Sequence, residues 1–159
     1  MGAFEYRQAE EVRAAFEAHG VRYLFIGKSG AILLGFPDTT QEADLFVQNS
    51  AENGQALVRA LRDLGFDLVA EQQNEILRRK VFIQFRNGPF DLDLAFAPDG
   101  IEGFEDAWQR RVTVSGFPVC HPDDIIARKK AADRVKDRES LPRLEAVRCR
   151  PFVTLPQFR

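Results

Sequence analysis

Apolar and polar residues alternate along the chain in blocks whose spacing predicts helices and strands in turn. In the first block, Val12, Ala15 and Phe16 follow the three- and four-residue spacing of an amphipathic helix, and Gly20 is a natural end for it. Later blocks instead show the continuous or alternating apolar pattern of strands. The predicted elements are a helix at 5–20, a strand at 21–27, a short helix at 29–35, a turn at 36–41, a strand at 43–48, a helix at 50–66, strands at 80–86 and 90–97, a helical turn or two at 103–111, one or two short strands within 112–121, and a closing helix at 121–148 that Pro142 interrupts.

This order of elements predicts an α+β fold with a small mixed β-sheet flanked by helices. The length of 159 residues suits a single domain over residues 1–159. Residues 150–159 contain two prolines and are expected to form an extended tail. At the start of the closing helix, Asp123 or Asp124 is expected to act as the cap, because a carboxylate accepts hydrogen bonds from exposed helix amides and suits the helix dipole.

Composition places the chain among ordinary globular proteins, with 45% hydrophobic and 29% charged residues. No stretch of about 18 apolar residues occurs, so no membrane span is expected. The charged N-terminal segment lacks the basic and apolar regions of a secretory signal. Cys120 and Cys149 have no metal-binding spacing and are expected to be buried or incidental thiols in a reducing compartment. We therefore expect a cytoplasmic protein.

Charge is nearly balanced overall but uneven along the chain. The net charge of −2 provides no general attraction to nucleic acid. Residues 128–150, however, contain nine basic residues against four acidic ones. This segment is either a solvated helix face or a local site for an anion.

The tripeptide Gly27-Lys28-Ser29 has the same residues as the end of a phosphate-binding P-loop. A P-loop also requires a glycine five positions before Gly27, where this chain has Arg22. The intervening residues 23–26 are apolar and predict a strand, which cannot form the open loop that wraps a phosphate. The sequence therefore argues against a P-loop ATPase.

Two pairs of acids lie on predicted strands. Glu42 and Asp44 are two residues apart, as are Asp91 and Asp93, so each pair faces one side of its strand. Any half-exposed strand shows such alternation, and a single pair would indicate only a solvated face. Two pairs on neighbouring strands would instead gather carboxylates that repel one another unless a cation neutralises them. Oxygen ligands of this kind suit Mg²⁺ and phosphoryl transfer.

These acids and the glycine turn before them resemble the signature of the DNA polymerase beta-like nucleotidyltransferase superfamily, and in particular the minimal nucleotidyltransferases that include those of bacterial toxin–antitoxin systems. The resemblance covers residues 20–145, and the later stretch at 90–108 and 123–137 also resembles that family's closing section. The matching residues of the first part are Ile26, Gly27, Gly35, Phe36, Pro37, Thr40, Glu42, Ala43, Asp44, Leu45 and Val47.

The resemblance implies a nucleotidyltransferase-like fold and the metal-dependent transfer of a nucleoside monophosphate from a nucleoside triphosphate to an acceptor hydroxyl. Glu42 and Asp44 would be catalytic acids that bind Mg²⁺ or Mn²⁺. Asp93 would be the third acid, with Asp91 as the alternative ligand. The residues implied to face the nucleotide are Gly27, Lys28, Ser29, Lys129, Arg134 and Lys136.

The chain departs from the family pattern at Lys28, Leu34 and Asp38, where a small residue, a histidine and a basic residue are usual. These departures keep a second hypothesis open: a catalytically inactive nucleotidyltransferase-fold module that binds or regulates, such as an antitoxin-like partner. The sequence does not specify the preferred nucleotide. The acceptor could be an RNA end, a protein or a small molecule, and a partner protein or a second copy of the chain could complete the site.

Overall fold

In the computed structural model of the chain, the residues described are 5–132, 141–142 and 145. They form helices and strands in an order that matches most of the predicted elements. The helices are α1 (Tyr6–Ala18), α2 (Gly27–Leu33), α3 (Ala51–Asp63), α4 (Ala70–Leu77), α5 (Phe104–Arg110) and α6 (Pro122–Ala132). The strands are β1 (Tyr23–Phe25), β2 (Glu42–Val47), β3 (Phe82–Phe85), β4 (Asp91–Ala95), β5 (Val112–Val114) and β6 (Phe117–Val119).

The strands form one mixed six-stranded sheet in the order β3-β4-β2-β1-β6-β5. The two central contacts that matter for the site are β1 with β2, which is antiparallel, and β2 with β4, which is parallel. A parallel pair needs a crossover connection, which α3, α4 and the edge strand β3 provide between β2 and β4. The predicted α+β class with a small mixed sheet is confirmed.

The core lies between the sheet and its helices. In β2, Ala43, Leu45 and Val47 are fully buried and alternate with the acids at the start of the strand. In β4, Leu92 and Leu94 are likewise buried. The apolar positions therefore hold both strands rigidly while the acids of the same strands face the opposite side, because successive side chains of a strand point to opposite faces.

Most element ends differ from the predicted ones by a few residues, and two of these shifts and one unpredicted helix have clear physical reasons. Helix α2 begins at Gly27 rather than at Ser29, and strand β1 ends at Phe25, because the chain turns into the helix directly after Ile26. Helix α4 was not predicted, since its eight residues bury only Ile76 and therefore carry almost no apolar period. The predicted continuation of the last helix over 133–140 and the extended tail at 150–159 lie outside the described residues.

Asp123 and Asp124 both lie in the first turn of α6, as the helix dipole favours, but the residue that precedes the helix and caps it is His121. The side chain of His121 accepts the amide hydrogen of Asp123 at 3.0 Å and so occupies the capping role. Asp124 is instead buried and accepts two hydrogen bonds from Arg110, both at 3.0 Å. A buried carboxylate is strongly stabilised by a two-pronged guanidinium contact, which decides its orientation against the helix end.

Cys120 is a buried free thiol, as expected, and burial raises its pKa. Cys149 lies outside the described residues. Within the part of the chain that the structure describes, no helix has both the length and the apolar character required to cross a lipid bilayer.

Candidate active site

The parallel register of β2 and β4 places the two acid pairs side by side. Glu42 lies opposite Asp91, and Asp44 lies opposite Asp93. Directly opposed residues on adjacent strands have side chains close enough to interact. Four carboxylates thus meet on one face of the sheet, at the ends where both strands begin.

Arg86 provides a positive charge within this acid cluster, which we define as Glu42, Asp44, Asp91 and Asp93. One of its guanidinium nitrogens donates to Asp93 Oδ1 at 2.8 Å. The same side chain lies 3.6 Å from a Glu42 oxygen and 3.9 Å from an Asp91 oxygen. Arg86 follows the last residue of β3, so the β3–β4 connection supplies one cation to three carboxylates.

The Asp44 carboxylate is held from the opposite side by α2 and α6. Gly27, at the start of α2, has a positive φ of 60°, and a Cβ there would overlap Asp44 Oδ2. The buried hydroxyl of Ser29 accepts the Asp44 amide hydrogen at 3.0 Å and donates to the Ile26 carbonyl oxygen at 3.1 Å. Arg128 of α6 lies 3.7 Å from Asp44 Oδ2.

The pKa of Asp44 is raised to about 6, chiefly by burial and also by the neighbouring carboxylates of Asp93 and Glu42, while Arg128 opposes the rise. Burial also raises the pKa of Asp93, against the lowering effect of its hydrogen bond from Arg86. Two carboxyls with raised pKa values on adjacent strands are typical of a functional site, because desolvation and like charges destabilise their ionised forms.

The acids open into a cleft of about 520 Å³. Gly27, Lys28 and Lys129, predicted to face a nucleotide, all line it. The other lining residues are Thr39, Thr40, Gln41, Glu42, Asp44, Phe82, Gln84, Asp93 and Arg128. The structure therefore gathers residues from five elements and one turn around the same space.

The remaining predicted site residues are placed differently. Asp91 does not line the cleft, so the placement favours Asp93 over Asp91 as the third acid. Ser29 is fully buried and uses its hydroxyl on the backbone beside Asp44, which makes it a support for that carboxylate rather than part of the cleft wall. Arg134 and Lys136 lie outside the described residues.

Two of the three departures from the family pattern are neighbours in space. The Lys28 ammonium lies 3.5 Å from the Asp38 carboxylate, at the rim of the cleft. The basic side chain in the glycine turn thus faces the acid that replaces a usual base, so that the two substitutions compensate each other in charge. Leu34, the third departure, is a buried core residue.

The donor set of the acid cluster suits a hard divalent cation, because it consists of carboxylate oxygens. Asp44 Oδ1 and Asp91 Oδ1 are buried and have no hydrogen-bond partner among the described residues, which is costly unless a ligand or ion meets them. In the same described part, no three acidic, histidine or cysteine side chains are arranged as a ready metal site. Arg86 and Arg128 contact these acids instead.

A second groove, of about 450 Å³, adjoins the cleft and shares Phe82 and Arg128 with it. It lies along the edge strand β3, where Val81 and Phe82 are unusually exposed apolar side chains, at 60% and 37%. Its other lining residues are Ala95, Ala97, Pro98 and Asp99. The groove is mostly apolar and has Arg128 as its one basic lining residue among those described.

Sequence reasoning missed Arg86 and the particular role of Arg128. The basic run that begins at Arg128 was recognised, but its position beside Asp44 depends on how α6 crosses α2. Arg86 carried no motif at all, because it is 44 positions from Glu42 and reaches it only through the sheet order. The sequence signal that could have identified Arg86 is a basic residue in the turn directly before a strand that carries two acids.

Comparisons with known proteins support the fold. No family model matches the chain, and neither does any curated protein. Among solved structures, the crystal structure of the lincosamide antibiotic adenylyltransferase LnuA with lincomycin bound is similar at a TM-score of 0.65. Sequence identity is 14%, over 92% of this chain and 99% of that chain. The chain therefore has a nucleotidyltransferase-like fold, while the resemblance to toxin–antitoxin members stays a prediction.

Proposed function

We propose that the protein is a metal-dependent nucleotidyltransferase, which transfers a nucleoside monophosphate from a nucleoside triphosphate to an acceptor hydroxyl. The observation that carries the proposal is the parallel register of β2 and β4, which sets Asp44 opposite Asp93 in the lining of the cleft and Glu42 opposite Asp91. The nucleotidyltransferase-like fold supports it, as do the two buried carboxylate oxygens without a hydrogen-bond partner.

In this proposal Glu42, Asp44 and Asp93 hold Mg²⁺ or Mn²⁺, with Asp91 beside them. Such an ion, when bound, supplies the positive charge that neutralises a triphosphate and its transition state. Asp93 is the base nearest the acceptor hydroxyl. The chain's remaining contribution is positioning, because phosphoryl transfer depends mainly on alignment and electrostatic stabilisation.

The positive side chains of the cleft would bind the phosphates. Lys28, Arg128 and Lys129 line it together with the carboxylates. Thr40 holds the Glu42 carboxylate through a hydrogen bond at 3.2 Å and so orients the first acid. Arg134 and Lys136 remain candidates for the same task from the sequence resemblance.

The acceptor is proposed to be a small molecule with an apolar body, which would lie in the second groove with its hydroxyl toward Asp93. The groove offers Val81, Phe82 and Pro98 as apolar contacts. A nucleic-acid acceptor generally meets several cations along its track, and among the described residues Arg128 is the one basic side chain that lines this groove. LnuA is a lincosamide antibiotic adenylyltransferase whose structure contains lincomycin, so the first screen is a panel of hydroxylated small molecules that includes lincosamides.

The test combines binding with transfer. The wild type is titrated with each nucleoside triphosphate in the presence of Mg²⁺ or Mn²⁺, and the melting temperature is followed, since a ligand specific to the folded state must raise it. Label from the α-phosphate of the stabilising nucleotide is then followed into the acceptor panel. Asp44→Asn should lose both responses, whereas Asp67→Asn, an exposed acid outside the cleft, should keep both. Full transfer by Asp44→Asn would refute the proposal.

A second candidate function is a catalytically inactive module of the same fold, which binds a partner protein. Two observations favour it: arginine side chains contact the acids, and the described residues show no ready arrangement of metal ligands. A wild type that is not stabilised by any triphosphate with either metal would favour this second function.

A further inference from the structure

Arg86 and Arg128 both contact the acid cluster but are anchored very differently. Arg128 belongs to α6, its side chain is 20% exposed, and its ion pair in the cluster is with Asp44. Arg86 lies outside any strand, in the connection after the edge strand β3, and its side chain is 40% exposed. Its other hydrogen bond goes to the carbonyl oxygen of the preceding residue, Phe85, at 3.1 Å.

The Arg86 guanidinium lies among the carboxylates, at the place where a bound cation would offset their negative charge. Its guanidinium contacts Glu42, Asp91 and Asp93 together, so its single positive charge reduces the repulsion among three acids without balancing their charge. Two of these acids, Glu42 and Asp93, are the ones proposed to hold the metal. A guanidinium and a divalent cation compete for these carboxylate oxygens, because the two positive charges repel each other at such short range.

We propose that Arg86 is a built-in counter-ion that closes the acid cluster, and that it must swing away before a divalent cation binds there. This inference rests on the proposed function. Moving the Arg86 guanidinium away from the acids costs little free energy, because its place in a turn and its solvent exposure let the charged end return to water. Release would be costly for Arg128, whose side chain is mostly covered. Arg86 is thus a positioning residue that makes metal binding by the resting protein weak.

The test measures Mn²⁺ affinity of the full chain without nucleotide, by the electron paramagnetic resonance signal of the unbound ion. Arg86→Gln is compared with wild type and with Arg78→Gln, which removes an exposed arginine whose recorded contact is Glu75 at 4.0 Å. Removal of a competing charged hydrogen bond should tighten Mn²⁺ binding by about ten- to a hundredfold in Arg86→Gln. Arg78→Gln should match the wild type. Arg86→Lys should fall between them, because an ammonium keeps one contact but cannot bridge three acids.

The change in melting temperature on addition of Mn²⁺ is a second measurement, and it can be made even if Arg86→Gln is less stable than the wild type. In EDTA, Arg86→Gln should melt below the wild type, because its carboxylates lose their counter-ion, and Mn²⁺ should raise its melting temperature by more than that of the wild type. Equal or weaker Mn²⁺ binding by Arg86→Gln, when the wild type binds, would overturn the inference and leave the proposed function intact. Failure of both proteins to bind Mn²⁺ at millimolar concentration would overturn the two together.

Discussion

Two of the arginine–carboxylate arrangements in the described part of the protein share their chemistry but differ in how fully each charge is matched. Arg110 and Asp124 form a one-to-one pair with two hydrogen bonds of 3.0 Å, away from the cleft. In the acid cluster, a single guanidinium serves three carboxylates, and buried carboxylate oxygens are left without hydrogen bonds. The first arrangement satisfies its groups and stabilises the fold. The second leaves excess negative charge and buried oxygens without hydrogen bonds, which is expected of a site that binds a ligand or ion.

The largest expected effect is on the transfer rate, which should depend on the acid cluster and not on the Arg110–Asp124 pair. Asp93→Asn should lower the transfer rate by about two to three orders of magnitude, because it removes a carboxylate from the floor of the cleft. Asp124→Asn should change the rate by less than about threefold but lower the free energy of unfolding by about 1–3 kcal/mol, since it weakens the contact between a buried carboxylate and the half-exposed guanidinium of Arg110. Steady-state transfer and denaturant unfolding of both variants provide the comparison.

Asp91 sharpens this comparison within the cluster. It lies opposite Glu42 but does not line the cleft, so Asp91→Asn should reduce transfer by less than about tenfold. Equal losses in Asp91→Asn and Asp93→Asn would contradict the assignment of Asp93 as the third acid. The same assay decides between them.

The next effect concerns pH. The pKa of Asp44 is about 6 in the folded protein, above its ordinary value of 3.8. Between these values the folded state binds more protons than the unfolded state, so stability from this group is present at low pH and is lost as pH rises toward 6. The loss should reach about 3 kcal/mol, and Asp44→Asn should remove it. Denaturant unfolding from pH 4 to pH 8 measures this slope; an identical slope in Asp44→Asn would contradict the prediction.

A smaller effect tests how tightly Asp44 is held. Gly27→Ala should lower the free energy of unfolding by about 2–3 kcal/mol and weaken Mn²⁺ binding, because it adds backbone strain and a clash with the Asp44 carboxylate. Gly20 is the matched control. It has a similar φ of 69° with nothing within 4 Å of an added Cβ, so Gly20→Ala should show only the strain, about 1 kcal/mol. Equal losses in the two variants would exclude the clash.

The smallest effect belongs to a third ion pair, Lys28 with Asp38, on the rim of the cleft. Its partners are about a third exposed, so their coupling in a double-mutant cycle of Lys28→Met and Asp38→Asn should be below about 1 kcal/mol. A coupling of several kcal/mol would contradict the assignment of Lys28–Asp38 as a surface ion pair. Thermal unfolding of the four proteins measures it.

Much of the fold could be predicted from the sequence because its signals are local. The amphipathic period of α1 and α3 and the apolar runs of β1 and β2 mark elements that the structure contains. Helix α4 was not predicted because it buries one residue. The capping residue of α6 was not predicted because Asp124 instead accepts hydrogen bonds from Arg110, which is distant in sequence. Failures of this kind occur where a tertiary contact outweighs a local preference.

The sequence by itself determined that Glu42 and Asp44 face one way, as do Asp91 and Asp93, because two-residue spacing on a strand has only that outcome. Only the tertiary structure decided that the two pairs are neighbours, since the parallel register of β2 and β4 arises from burying their apolar faces together. It also decided that Arg86 meets the acids. Contacts between residues far apart in sequence depend on the packing of the whole sheet, and no local pattern encodes them.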